Sequence, residues 1–176
     1  MAPKSKAQKP QVPLIDAVVA APANMSCSTG WFVTGYYTPG EDEFDGPSTM
    51  ITIPGVGQDS FPAKFLKHVR IEGWGLTRHG WFLGFDNGWV KGNAPLNARG
   101  GPLQIGSLAV DRDVIAMGSR VRIPTLVAPW DTQEFIADDT GGGIIGKHVD
   151  VYCGAGEAAH DETLRITADN MQVCLG

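Results

Sequence analysis

Two aspartates set eleven residues apart are the side chains of this chain best suited to proton chemistry: Asp139, opening the turn Asp139-Thr140-Gly141-Gly142, and Asp150, inside the run His148-Val149-Asp150-Val151-Tyr152. Carboxyl groups on neighbouring β elements can give up and take back a proton, the work of a general acid and base. Alternation with a period of two puts Val149 and Val151 on one face of that run and His148, Asp150 and Tyr152 on the other. With the valines in a core, Asp150 faces a site. Asp139 ends the apolar run Phe135-Ile136-Ala137, and the glycines after it let backbone come close to a substrate. Each aspartate also has an ordinary use, Asp139 in ordering a turn through nearby amides and Asp150 as a solvated surface charge.

The elements that must hold these residues are short strands. The chain has 176 residues with 23 glycines and 12 prolines scattered without period, a pattern of many turns around one sizeable core. Residues 1–29 read as a mobile leader, basic and proline-rich at the start, and residues 30–176 as one folded domain. Strands are expected over Trp31–Tyr37 and Met50–Ile53, then as an aromatic meander over Ile71–Leu76, Trp81–Phe85 and the region of Trp89. Between them Phe61, Phe65 and Val69 recur at helical spacing, with Pro62 suited to a first turn. From residue 103 six strands alternate with turns: Ile105–Val110, Arg120–Ile123, Gln133–Ala137, Val149–Cys153, Leu164–Thr167 and Met171–Leu175. The stretch Val114–Ser119 is a one-turn connection, and Gly156–His160 suits a helical turn. Six such strands in about seventy residues imply a small barrel or sandwich.

A formal charge of −5 excludes a phosphate backbone as the main ligand and favours an uncharged or mixed-charge polymer. Cys27, Cys153 and Cys174 lack metal-type spacing and the four histidines are far apart, so no metal site is expected. A disulfide between Cys153 and Cys174, with Cys27 unpaired or as the alternative partner, fits an oxidising compartment. Neither a secretory signal nor a transmembrane anchor is visible.

Three segments carry a family resemblance: Leu108-Ala109-Val110-Asp111, then Val114 to Ser119, then Ala137-Asp138-Asp139-Thr140-Gly141-Gly142 through Gly146-Lys147-His148-Val149-Asp150-Val151-Tyr152. In this order they resemble the 3D domain, named for three aspartates and shared with membrane-bound lytic transglycosylase A. The match spans about residues 100–175. Upstream, Gly35-Tyr36-Tyr37-Thr38-Pro39 is similar to the Gly-Tyr-Tyr-x-Pro segment of that enzyme, and Arg70 to Gly75 to a segment of some bacterial 3D proteins.

The resemblance implies an all-β fold, a six-stranded double-psi β-barrel with additional short N-terminal strands and one or two short helices. It implies a cofactor-free lytic transglycosylase of the cell envelope or extracellular space, working as a monomer on peptidoglycan glycan strands. Such enzymes cut the β-1,4 bond between N-acetylmuramic acid and N-acetylglucosamine without water and leave a 1,6-anhydro end. By motif position Asp150 is the acid and base, with Asp139 and Asp111 beside it, while Tyr36, Tyr37, Thr38, Thr140, Gly141, Gly142 and Lys147 meet the substrate. Trp74, Trp81, Trp89 and Lys91 are further candidates, and His148 shares the Asp150 face. One carboxyl suffices because the sugar's own C6 hydroxyl replaces the water that ordinary glycosidases activate with a second. To start protonated near neutrality, Asp150 needs its titration raised by roughly two to three units, through burial or the charges of Asp139 and Asp111. Two other classes fit parts of the sequence. An aspartic protease would have to pair two copies of the single Asp-Thr-Gly, and an expansin-type barrel would bind wall glycans without cutting them.

Overall fold

The computed structural model describes residues 24–176. In chain order it runs β1 (Ser26–Thr38), a 3-10 turn (Glu41–Glu43), β2 (Ser48–Ile53), β3 (Gly57–Pro62), α1 (Ala63–Glu72), β4 (Trp74–Leu76), β5 (Phe82–Phe85) and β6 (Trp89–Gly92). The second part runs β7 (Ser107–Val110), β8 (Arg120–Arg122), a 3-10 turn (Trp130–Thr132), β9 (Glu134–Asp139), β10 (His148–Ala155), α2 (Glu157–Ile166) and β11 (Ala168–Leu175). Six strands close into a barrel in the order β1-β10-β7-β9-β8-β11, and β11 returns antiparallel to β1. Two pairs inside it, β1 with β10 and β7 with β9, are parallel. The family resemblance implied a six-stranded barrel, where the strand pattern by itself left barrel and sandwich open, and the closed barrel agrees with the former.

Strand alternation fills the interior. Val33, Leu108, Val110, Val121, Phe135, Ala137, Val149, Val151 and Val173 are almost wholly buried, so the face opposite Val149 and Val151 is free to carry Asp150 outward. α2 seals one side of β1, where Gly35 admits the helix backbone: a Cβ there would meet the Cα of Thr163 at 2.7 Å. The insertion between β1 and β7 has its own apolar cluster, with Ile53, Phe61, Phe65, Leu66, Val69 and Leu83 buried at its centre. A two-stranded hairpin (β2-β3), α1 and a three-stranded antiparallel sheet (β4-β5-β6) surround that cluster. Arg78 ties this lobe together and binds it to the chain leaving β1, pairing with the buried Glu41 and, at 2.6 Å, with Asp59.

Several elements depart from the sequence expectation. Residues 164–167 are not a strand, because α2 runs to Ile166 with Ala159, Thr163 and Ile166 buried along one helical face and Leu164 exposed. The sixth barrel strand is instead β1. That strand starts at Ser26, inside the stretch read as leader, because Cys27 is bonded to Cys174 directly across the β1–β11 pair. The rest of the expected leader, residues 1–23, lies outside the described residues. Cys153, the other expected partner of Cys174, is a free and buried thiol. α1 starts at Ala63 rather than Phe61, since Pro62 is extended (φ −52°, ψ 131°) and closes β3. It then continues through Ile71 and Glu72 before Gly73 ends it at φ 88°, which leaves only Trp74–Leu76 for the strand expected from Ile71. Among the described residues no helix is long and apolar enough to cross a membrane.

Candidate active site

A cavity of about 320 Å³ opens where one end of the barrel meets the inserted lobe. One row of backbone partners builds its floor. Asp139 on β9 pairs with Ala109 on β7, Ala109 with Asp150 on β10, and Asp150 with Thr34 on β1. Asp139 joins the row through a shift of register: Leu108 pairs with Ala137 but Ala109 with Asp139, so Asp138 is an extra residue on β9. Plain alternation would send Asp139 into the core with Phe135 and Ala137, and the bulge turns it to the cavity. Ala109, between the two acids, contributes only a methyl group. Strands about 4.8 Å apart put the backbones of Asp139 and Asp150 about 10 Å from each other across it, leaving space between the carboxyl groups.

Each acid has its own partners. Thr34 Oγ1 donates to Asp150 Oδ1 at 2.7 Å and lies 2.9 Å from His148 Nε2. Asp139 accepts the Tyr36 hydroxyl on Oδ2 at 2.7 Å and the Ala98 amide on Oδ1 at 2.8 Å. Its neighbour Asp138 accepts from Asn97 Nδ2 and Ser107 Oγ, both at 3.0 Å. The two adjacent acids therefore hold the loop from β6 to β7, which brings Leu96 and Leu103 to the cavity. Burial, then the charge of Asp139, keeps the Tyr36 phenol protonated as a fixed donor.

Burial pushes the Asp150 carboxyl up from 3.8 to about 6, the Thr34 hydrogen bond opposes the shift, and the charges of Glu72 and Asp139 add to it. That is within the rise a near-neutral acid requires. Glu72, rather than Asp111, supplies the second like charge.

Of the residues singled out in the sequence, Tyr36, Tyr37, Thr38, Asp139, Thr140, Gly141, Gly142 and Asp150 line this one cavity. Thr38 is buried, 2.9 Å from the Tyr152 hydroxyl. Trp74 lines the cavity too, its indole lying over Gly84 and Gly92, where a Cβ would come within 2.7 and 2.6 Å of the ring. Asp111 stands apart, in a shallow depression behind Gly141 and Gly142. The Gly146 amide (2.7 Å) and the Asp113 amide (3.0 Å) donate to its carboxylate and hold it below the usual range, so Asp111 fastens the glycine turn and opens the following connection. Lys147 donates to the Thr29 carbonyl at 2.9 Å beside Trp31 and is not part of the lining. Trp81, Trp89 and Lys91 belong to the inserted lobe, Trp81 packed on Phe61, Trp89 on Phe85 and Lys91 over Trp81. Sequence reasoning missed Thr34 and Glu72. Thr34 was open to detection, being two residues before Tyr36 on the same face of β1.

The glycine turn, the bulged Asp138-Asp139 pair and the Asp150 strand fall within residues 106–170, which match the family model of the 3D domain. The chain carries a 3D domain. Comparison with curated proteins gives no match. Among solved structures the fold is similar to Escherichia coli MltA with bound chitohexaose, at TM-score 0.60 and 15% identity over 82% of this chain and 71% of that one. A second E. coli MltA structure, described as a unique lytic transglycosylase fold, matches at TM-score 0.56 and 16% identity, over 82% and 70%. MltA from Neisseria gonorrhoeae matches at TM-score 0.52 and 14% identity, over 85% and 72%. The similarity extends beyond the 3D domain to most of the described chain.

Proposed function

We propose that this 3D-domain protein is a lytic transglycosylase that cuts peptidoglycan strands between N-acetylmuramic acid and N-acetylglucosamine, with Asp150 as its acid and base. The observation that carries the reading is a recessed carboxyl held protonated to about pH 6 at the floor of a cavity. A neutral carboxyl can give its proton to the glycosidic oxygen as the bond to the anomeric carbon breaks, the bonding pair leaving with that oxygen. The muramyl C6 hydroxyl oxygen then bonds to the same carbon and returns its proton to Asp150. Proton count is conserved and no water enters, so one acid serves both steps.

The surroundings fit this work. Thr34 occupies Oδ1 and leaves Oδ2 for the substrate. Small-ligand clefts run to roughly 300–1,000 Å³, so a cavity at the low end holds the sugars at the scissile bond while the rest of the strand lies outside. The methyl of Ala109 leaves room for a ring between the acids, and Tyr36, Tyr37 and Trp74 offer the aromatic faces that sugars stack on. The MltA likeness supports a glycan as the ligand, since one of those structures holds chitohexaose. Barrel and inserted lobe act as one unit because the cavity takes walls from both. The disulfide supports an oxidising location, periplasmic or outside the cell. Mass spectrometry of purified peptidoglycan after incubation tests the proposal: 1,6-anhydro muropeptides are expected. Reducing-end products would mean hydrolysis, and an unchanged but bound sacculus would mean a binding module.

A further inference from the structure

A third carboxylate reaches the cavity from outside the barrel. Glu72, the last residue of α1, lines it from the inserted lobe, in a cavity that it shares with Asp139 and Asp150. Glu72 is exposed, and three features of its surroundings leave its charge without a local counterpart. The C-terminal end of a helix carries partial negative charge, which disfavours an anion there. Among the described residues the Glu72 side chain makes no hydrogen bond or ion pair, and Arg70, the basic residue of the same turn, is held over the rings of Phe85 (4.8 Å) and Trp89 (5.1 Å). Finally, the residues lining the cavity include three carboxylates and no lysine or arginine. Sugar hydroxyls can donate to carboxylates, but such hydrogen bonds are between a neutral ligand and an anion and leave the net negative charge of the lining in place. Transient positive charge is a natural counterpart, and breaking a glycosidic bond creates it at the anomeric carbon.

We propose, resting on the transglycosylase reading above, that Glu72 is a second working carboxylate of the site: its carboxylate lies beside the sugar undergoing cleavage and stabilises the cationic anomeric centre. It neither gives nor takes a proton. Asp150 does both, and the bonding pair and both protons move as already described. Glu72 has a second effect through Asp150, because its charge opposes ionisation of that acid and helps keep it loaded. The other titratable groups around Asp150 are Tyr36 and Tyr37 from β1, Asp139 from β9, and His148, Tyr152 and the buried Cys153 thiol from its own strand, while β7 contributes only Ala109. Glu72 is thus the ionisable group that the inserted lobe adds to the barrel's own set.

The test compares wild type, Glu72→Gln and Glu72→Asp on purified glycan strands, with a titration of the Asp150 carboxyl carbon by NMR in the absence of substrate. Glu72→Gln is expected to lower kcat roughly tenfold to a hundredfold with KM little changed. It should also move both the alkaline limb of activity and the NMR titration to lower pH, and Glu72→Asp should restore the position of both. A Glu72→Gln variant with wild-type kcat and an unmoved limb overturns the inference. So does a loss of kcat with the Asp150 titration unmoved, which would mark a structural role. An inactive wild type would sink the transglycosylase reading first, whereas an active wild type beside an unaffected Glu72→Gln sinks this inference alone.

Discussion

Replacing Asp150 by asparagine should make the protein more stable as it makes it inactive, with a pH dependence set by the same burial that prepares the acid. The carboxyl titrates near 3.8 when unperturbed and at about 6 in the fold. A raised carboxyl binds its proton more tightly in the folded state, so the fold loses stability as pH climbs from 3.8 toward 6 and carries a constant penalty above that. Integrated over those two titrations, the penalty is about 1 kcal/mol at pH 4.5 and about 3 kcal/mol at pH 7.5. Asparagine has no charge to desolvate, matches the carboxyl in shape and can still accept the Thr34 hydroxyl. Urea denaturation with the disulfide intact should therefore show Asp150→Asn more stable than wild type, by about 2 kcal/mol more at pH 7.5 than at pH 4.5. A stability difference that is negative, or that does not change with pH, would refute the claim that burial holds Asp150 protonated.

Four further outcomes follow from the same geometry. Thr34→Val removes the one hydrogen bond that lowers the Asp150 titration, so the alkaline limb of activity should move to higher pH in a pH–rate profile. Asp139→Ala frees the Tyr36 hydroxyl and the Ala98 amide, and should cost about 1–3 kcal/mol while hydrogen exchange at Ala98 quickens. Ala109→Leu fills the space between the acids and should abolish cleavage while leaving the Asp150 titration by NMR at or above its wild-type value. Reduction of the Cys27–Cys174 bond, which joins residues 147 apart, should lower stability by roughly 2–5 kcal/mol, and a thiol assay on the folded, oxidised protein should find Cys153 unreactive.

The direction of Asp150 was legible because β10 keeps strict alternation on both sides of it, and two buried valines fix its face. The direction of Asp139 was not, since a bulge at Asp138 reverses the phase and nothing local in Phe135-Ile136-Ala137-Asp138 announces one. The glycine turn drew attention to Asp139 for a sound reason, yet its carboxylate is occupied by Tyr36 and Ala98. Glu72 was hidden because Ile71 to Leu76 reads as one β-rich run, whereas α1 extends through its first two residues until Gly73 stops it. The same competition misassigned Leu164–Thr167, where residues of high strand propensity finish a helix whose buried face is set by Ala159, Thr163 and Ile166. Cys27 was read as leader because its disulfide partner Cys174 and the strand it pairs with lie at the other end of the chain, and local pattern carries no information about that pairing.

The central claim is that Asp150 passes a proton out and back while the sugar's own hydroxyl closes the ring. Cleavage of purified peptidoglycan in water enriched in ¹⁸O, followed by mass spectrometry of the released muropeptides, tests it directly. Wild type should release 1,6-anhydro ends carrying no ¹⁸O, and Asp150→Asn should release none. Incorporation of one ¹⁸O per cut, or undiminished cleavage by Asp150→Asn, would contradict the account.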